Sequence, residues 1–372
     1  MFGTKYAGPV LLVVGIVLLL LACGSDKDES GPTAPVLGPW AIDTVDSNGL
    51  IGAFTSITVD NAGLPNIAYI DDTNHDLRYA FFQGSSWLIQ PVDGEIGGSG
   101  TDTYTSIKTD RFGLPHVAYY DYLKGELRYA SWNGHNWGIE VVDTTGEVAG
   151  MYCSLVLDAN DHPYISYAVS PGILESELYL AAKDVSGWYI RAVDRSDRIN
   201  GTTSIALDSL ARPMIAYPHS LTGRLMFARW SGVAWSYETI DSVGGLGEFV
   251  SLALDHSGRP HVAYYAADDG DLRYASRGDL TWDISTVDDG GNVGEYPSLA
   301  IDPANRPHVS YLDRTKLDLK YAVQSGGTWQ VVSVDTAGQV GLYTSIAVDA
   351  QSRPHISYWS ATGFDLRYAH IK

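Results

Sequence analysis

Seven tryptophans, Trp40, Trp87, Trp137, Trp188, Trp235, Trp282 and Trp329, recur at spacings of 47, 50, 51, 47, 47 and 47 residues. A period of roughly 20 to 50 residues means one supersecondary unit, repeated, that cannot bury its apolar face alone and must stack on its neighbours. The copies share further landmarks. Six residues after each Trp stands an Asp: Asp46, Asp93, Asp143, Asp194, Asp241, Asp288 and Asp335. A Ser-Ile/Leu-x-x-Asp segment follows, as in Ser56 to Asp60 and Ser345 to Asp349. Five residues after that second Asp is always a Pro, and four further on always a Tyr, from Tyr69 to Tyr358. Each copy closes on Asp-Leu-Arg-Tyr-Ala, as at 76–80, 271–275 and 365–369, or a variant of it.

Each period holds four short runs rich in Val, Ile, Tyr and Trp, separated by Gly, Asn, Asp and Pro, the composition of strands and turns. No run has a helical period. Four strands in each of seven copies predict an all-β chain, a seven-bladed β-propeller with four antiparallel strands per blade over residues 40–372. In the first blade the strands are expected near 54–59 (innermost), 65–70, 76–81 and 87–92. The last copy ends without a Trp strand of its own. The Trp40–Val45 strand is therefore expected to complete the last blade and seal the ring, leaving no long open edge.

Residues present in every copy are expected to serve the scaffold. The Ser residues let innermost strands crowd the axis, the Trp residues supply apolar area near the rim, and fourteen Asp residues accept backbone N–H groups at turns. His116, His261, His308 and His355 follow Pro in four copies, with Asn66, Tyr164 and Met214 in the others. Such a ring is read as packing hydrogen bonds, not a metal site. With 44 acidic against 24 basic side chains and a net charge of −20, nucleic acid is excluded as a partner by repulsion. Two cysteines make no disulfide framework, and Cys153, in an innermost strand, is read as a buried thiol.

The amino terminus reads as an address. Lys5 precedes an apolar run from Ala7 to Ala22, too short to span a bilayer. Its end, Leu20-Leu21-Ala22-Cys23, resembles the lipobox of bacterial lipoproteins. The resemblance implies a signal peptide over 1–22, lipidation of Cys23 and a flexible tether over 23–39. Gly24 in place of Asp implies the outer membrane, with acyl chains as the sole membrane contact.

The Asp, His, Ser and Trp of each unit resemble the tetrad logic of WD-repeat propellers, although the Gly-His and Trp-Asp dipeptides are absent in register. The segment Ser131-Trp132-Asn133-Gly134-His135-Asn136-Trp137 is similar to the Asp-box hairpin of sialidase-like propellers, without its central Asp. Repeats of the form Ser-Ile-x-x-Asp-x-x-x-Arg-Pro-His-Ile-Ser-Tyr resemble bacterial surface propellers grouped with sialidase and lectin folds. That resemblance speaks to architecture across 40–372, not to a ligand.

Only two connections vary in length. The outer-to-inner one gains residues within 93–103 and 143–151, and the second-to-third one within 168–176. Both emerge on one face of an up-and-down blade, and insertions on one face mark a binding face. That face is expected to carry Tyr120, Asp121, Tyr122, Tyr265, Asp268, Asp269, Asp313, Arg314 and Trp359, aromatic planes among hydrogen-bonding groups that suit sugar rings. The third and fourth copies depart furthest, with Leu180 for Tyr, Met226 for Arg and Thr202 for an aromatic. Nearby Glu175, Arg195, Arg198 and His219 have no counterparts and mark an asymmetric candidate site. No catalytic residue is assigned, since neither a unique arginine cluster nor a nucleophile elbow or phosphate loop occurs. No cofactor is expected, although Asp268, Asp269 and Asp271 lie close enough in sequence to hold Ca²⁺. The expectation is a monomeric, lipid-anchored cell-envelope module, not an enzyme, that binds a glycan or an envelope or extracellular protein. The alternatives are a sialidase-like hydrolase or lyase with its site near blades 3 and 4, and an envelope-assembly scaffold.

Overall fold

The computed structural model describes residues 37–97, 104–143, 148–172, 175–196, 199, 201–243 and 245–372. The expected signal peptide and Cys23 lie outside them. All the regular structure among the described residues is β: seven four-stranded antiparallel sheets, the blades of a β-propeller. Blade 1 runs outward through Ile51–Val59, Pro65–Asp71, Asp76–Phe82 and Trp87–Asp93. Its innermost strand starts earlier than the pattern predicts, because register breaks between Ile51 and Ser56 fold extra residues into the strand.

Blade 7 takes three strands from the carboxy-terminal copy and its outermost from Trp40–Asp46, which pairs antiparallel with Asp365–Ile371 and sets Ile42 opposite Ala369. The ring is thus sealed by its first strand.

Three devices join the blades, and each uses a landmark residue. At the axis the repeated Ser is more than small. Its Oγ accepts the amide N–H of the next blade's innermost strand, from Ser56 to Ile107 through Ser345 to Ile57, at all seven interfaces within 2.9–3.3 Å. Those amides would otherwise be orphaned donors. Midway, apolar side chains of facing sheets form seven buried clusters, one per interface.

Near the rim, the Asp that ends each outermost strand accepts the hydroxyl of the invariant Tyr of the following blade, as in Tyr69 to Asp46 and Tyr358 to Asp335, at 2.6–2.7 Å. Five of these carboxylates also take a cation from that blade's third strand: Arg78, Arg128, Arg273, Lys320 or Arg367. At Asp143 and Asp194 the cation's place is held by Tyr179 and Met226.

On the face of short, constant turns the second Asp of each copy caps its turn; Asp302 Oδ1, for example, accepts the N–H groups of Ala304 and Arg306. The four post-proline histidines stand between such an Asp and a third-strand Tyr. His308 Nδ1 accepts from Tyr321 at 2.6 Å while its Nε2 lies 3.3 Å from Asp302. Each of these tyrosines, like Tyr79 of blade 1, meets the next blade's Trp edge to face, as in Tyr321 against Trp40 and Tyr368 against Trp87.

Candidate functional site

The innermost strands enter from the loop-rich face, and two residues before the repeated Ser six of seven copies carry an aromatic. Phe54, Tyr104, Tyr152, Phe249, Tyr296 and Tyr343 make a continuous arc around the axis. Ring centroids lie 4.8 Å apart for Tyr152–Tyr104, 5.0 for Tyr104–Phe54, 4.3 for Phe54–Tyr343, 4.9 for Tyr343–Tyr296 and 4.3 for Tyr296–Phe249. Thr202 breaks the arc; its hydroxyl instead accepts the Val250 amide at 2.8 Å.

The arc is held by unusual backbone. Phe54, Tyr152, Tyr296 and Tyr343 sit at φ of 50–57°, a left-handed conformation uncommon for bulky residues that costs on the order of 1–3 kcal/mol each. Two residues earlier stands a glycine, also at positive φ. At Gly294 (φ +106°) a Cβ would fall 2.7 Å from Leu272 Cα of the preceding blade, so this close approach admits only glycine. The bulge that results aims the next-but-one side chain at the axis.

Five of the six aromatics, with Thr55, Thr105, Thr202 and Thr344, line a cavity of about 110 Å³. Burial pushes the Tyr296 hydroxyl above the ordinary tyrosine range, so it acts as a neutral hydrogen-bonding group.

Around blades 5 to 7 a polar rim adjoins the arc. Arg314 and Glu295 pair at 3.7 Å beside Tyr296, and the Tyr265 hydroxyl donates to Asn292 Oδ1 at 2.8 Å. Trp359 packs against Tyr343 and Phe364, with centroids 6.0 and 6.4 Å away. Three residues expected on the binding face, Tyr265, Arg314 and Trp359, are thereby brought to one sector of the axial mouth.

Other expected residues are placed differently. Asp121 and Asp313 are fully buried. Asp121 lies 3.1 Å from Arg128 Nε, and Asp313 lies between Lys316 and Lys320; both hold their own blade together. Tyr120 is buried against the half-exposed Tyr122. Asp268 is exposed, and Asp269 is neutralised by Arg273. Among the described residues no three His, Cys, Asp or Glu side chains converge as a metal site.

In the asymmetric sector, Arg195 reaches back to Glu177 (3.3 Å) and donates to the Tyr179 hydroxyl (2.7 Å). His219 is bonded through Nδ1 to Thr222. Arg198 and the side chain of Glu175 lie outside the described residues, so these four are not shown as one cluster. Cys153 is buried, its thiol pushed up to about 12 by desolvation, which leaves it un-ionised and inert near neutrality. Asp72, on the loop-rich face, is raised by burial to about 6.

Composition and spacing alone did not single out the aromatic arc. The signal was there: an aromatic two residues before Ser in six copies, visible as Thr202's exception. Its meaning depends on backbone torsions that spacing does not show.

No protein-family model matches the chain, and a search of curated proteins finds no match. Solved structures do resemble it. An ulvan lyase bound to a GlcA–Rha3S unit aligns with a TM-score of 0.64 at 12% identity, over 87% of this chain and 94% of that one. The SapL1 lectin in complex with alpha methyl fucoside aligns at 0.52 and 16%, over 77% and 98%. YCF48 from Cyanidioschyzon merolae aligns at 0.56 and 12%, over 89% and 99%. These likenesses are of fold.

Proposed function

We propose that the protein is a non-enzymatic glycan-binding module, held at a bacterial cell envelope through lipid on Cys23, whose sugar ligand docks at the axial mouth on the loop-rich face. The observation that carries this reading is the strained aromatic arc. A scaffold needs only something to fill the channel, and small or aliphatic side chains do so at no backbone cost. Here four aromatics of the arc are held in an unfavourable conformation, and three of them, Phe54, Tyr296 and Tyr343, line an open cavity; strain of this kind collects at ligand sites. Aromatic faces stack on the C–H faces of a pyranose, while Glu295, Arg314, Asn292 and Tyr265 offer donors and acceptors for its hydroxyls. The cavity is smaller than the roughly 300 Å³ at the low end of small-molecule pockets, which suits the edge of one sugar held against the mouth. The lectin and the ulvan lyase of similar fold carry sugars in their own complexes, which agrees with the reading.

The test is glycan-array binding of the full chain in detergent, followed by titration with the best ligand. Tyr296→Ala and Trp359→Ala are expected to weaken binding about tenfold or more, as stacked aromatics do when truncated. Turnover of the bound glycan would replace this reading with an enzymatic one. Co-purified envelope proteins with no glycan binding would replace it with a scaffold. Placement at the envelope is checked by metabolic labelling with a fatty acid, lost on Cys23→Ser.

A further inference from the structure

On the short-turn face the blades meet at clefts, and two of these clefts differ in size and in charge, the first setting Asp43 against Arg353 and the second lined by two arginines. Between blades 7 and 1 the cleft is about 140 Å³ and is lined by Asp43, Pro65, Phe82, His355 and Tyr368 among others. Between blades 3 and 4 the equivalent cleft is about 370 Å³, lined by Tyr164, Leu180, Tyr189, Arg191, Arg212 and Trp230 among others. The larger falls within the range of ligand pockets, roughly 300–1,000 Å³.

Two replacements side by side make the difference. Leu180 stands where blade 7 has Tyr368, and Arg191 lies directly across the sheet from it, as Asp43 lies across from Tyr368. In the other blades that cross-strand position holds Gln90, Glu140, Glu238, Ser285 and Val332. A basic residue occurs there in blade 3 alone. Where the residue is Glu it accepts the neighbouring indole N–H: Glu140 from Trp188 at 2.9 Å and Glu238 from Trp282 at 3.3 Å. Arginine has no acceptor, and the Trp235 indole nitrogen is buried without a partner, as are those of Trp40, Trp87, Trp137 and Trp329, whose opposite residues are not Glu either.

Arg191 lies over the Trp230 ring, 4.5 Å from its centroid, and has no carboxylate partner among the described residues. Arg212 beside it is tied to Asp208 at 2.7 Å, with Arg229 3.8 Å from the same carboxylate. In a chain of net charge −20, this cleft concentrates positive charge and leaves one stacked guanidinium with its donors unused. Stacking on an aromatic face leaves a guanidinium's edge free for bidentate bonding to an anion.

We propose that the cleft between blades 3 and 4 binds an anionic sugar residue of an acidic polysaccharide. Its charged group would be held by Arg191, stacked on Trp230, and its ring would rest on the wall of Tyr164 and Tyr189. This site is on the opposite face from the axial mouth and stands without it.

The test titrates the full chain in detergent with oligogalacturonate, with dextran sulfate oligomers and with neutral dextran oligomers of matched length. Saturable binding of an anionic probe and none of neutral dextran is expected. Arg191→Gln should weaken it about tenfold or more, the usual loss of a charged hydrogen bond. Leu180→Tyr, which restores the side chain of five of the other six blades, should abolish it with the fold intact by circular dichroism. Tyr296→Ala should leave it unchanged, which separates this site from the axial reading. Binding of oligogalacturonate assigns a carboxylate, and of dextran sulfate alone a sulfate ester. Saturable binding of neither, or binding that both cleft variants retain at full strength, overturns the proposal.

Discussion

The interface between blades 7 and 1 and the interface between blades 3 and 4 are built from the same landmarks and differ in what has been left out. At the first, Asp46 takes both the Tyr69 hydroxyl and Arg78, and Tyr368 closes on Trp87. At the second, Asp194 takes Tyr217 with Met226 in the cation's place, and Leu180 stands in for the tyrosine. The axial bond is kept at both, Ser345 to Ile57 and Ser154 to Ile205. A ring of this kind must be continuous at its axis, but it tolerates local omission toward the rim. The omission leaves volume and an unpaired positive charge, which a sevenfold-uniform interface lacks. Repetition marks what holds the ring, and a single departure marks where it is free to do something else.

The largest effect should come from breaking the complete interface. Arg78 bridges Asp46 and the fully buried Asp71, so Arg78→Met takes the one cation from two carboxylates at once and leaves them only neutral donors such as Tyr69 and Asn74. Removing one partner of a buried ion pair costs about 3–5 kcal/mol, and Arg78 is partly exposed, so a loss of about 3 kcal/mol is expected in urea unfolding. The converse change, Met226→Arg, rebuilds the clamp in the divergent sector and should gain less than about 1 kcal/mol, since Asp194 is already held by Tyr217 and Ser196. If Arg78→Met proves as mild as the reverse substitution is weak, the cations are ornament and the comparison fails.

A second contrast is in pH. Burial depresses His116, His261, His308 and His355 below the usual imidazole value despite the pull of the facing aspartates. The unfolded chain, titrating near 6.5, therefore takes up protons first. The stability held in these sites is complete above about pH 6.5 and is lost as pH falls below it. The carboxylates of Asp255, Asp302 and Asp349, also depressed because hydrogen bonds outweigh burial, give way only in a later acid stage below about pH 4. Blades 1, 3 and 4 carry Asn66, Tyr164 and Met214 at the post-proline position and have no such histidine there. His308→Asn imitates blade 1, where Tyr79 donates to Asn66. It should shrink the fall in thermal midpoint between pH 7 and 5.5; an unchanged fall would show that these histidines are not the titrating groups.

Much of the architecture was legible because the scaffold is what repeats. Trp40 without a preceding copy, and the last copy without a closing Trp, predicted that the first strand completes the last blade; the register that sets Ile42 opposite Ala369 came with the folded sheet. What stayed hidden lies between copies. The clamp joins Tyr69 to an Asp 23 residues earlier, across a blade boundary that no motif spans, and the Ser acceptor bonds an amide about one period away. The aromatic arc depends on positive φ at Phe54, Tyr152, Tyr296 and Tyr343, which residue identity does not encode. Leu180 was readable as a departure, but Arg191 was not. Its significance is that it lies opposite Leu180 in register, and register between these strands is a property of the folded sheet.

The finest test asks whether the divergence truly spares the axis. Ser154→Ala and Ser345→Ala each remove one acceptor from a part-buried amide, at 3.3 and 3.2 Å, in the divergent and the complete interface respectively. A lost hydrogen bond of this type costs about 1 kcal/mol. Neither site changes its surroundings enough to open a cavity, since a hydroxyl alone is removed. The two variants should therefore shift the unfolding midpoint by the same amount, although their interfaces differ in clamp, cleft and charge. A markedly smaller cost for Ser154→Ala would mean that blades 3 and 4 are already parted at the axis. The wide cleft would then be one end of a loosened seam rather than a pocket let into a closed ring.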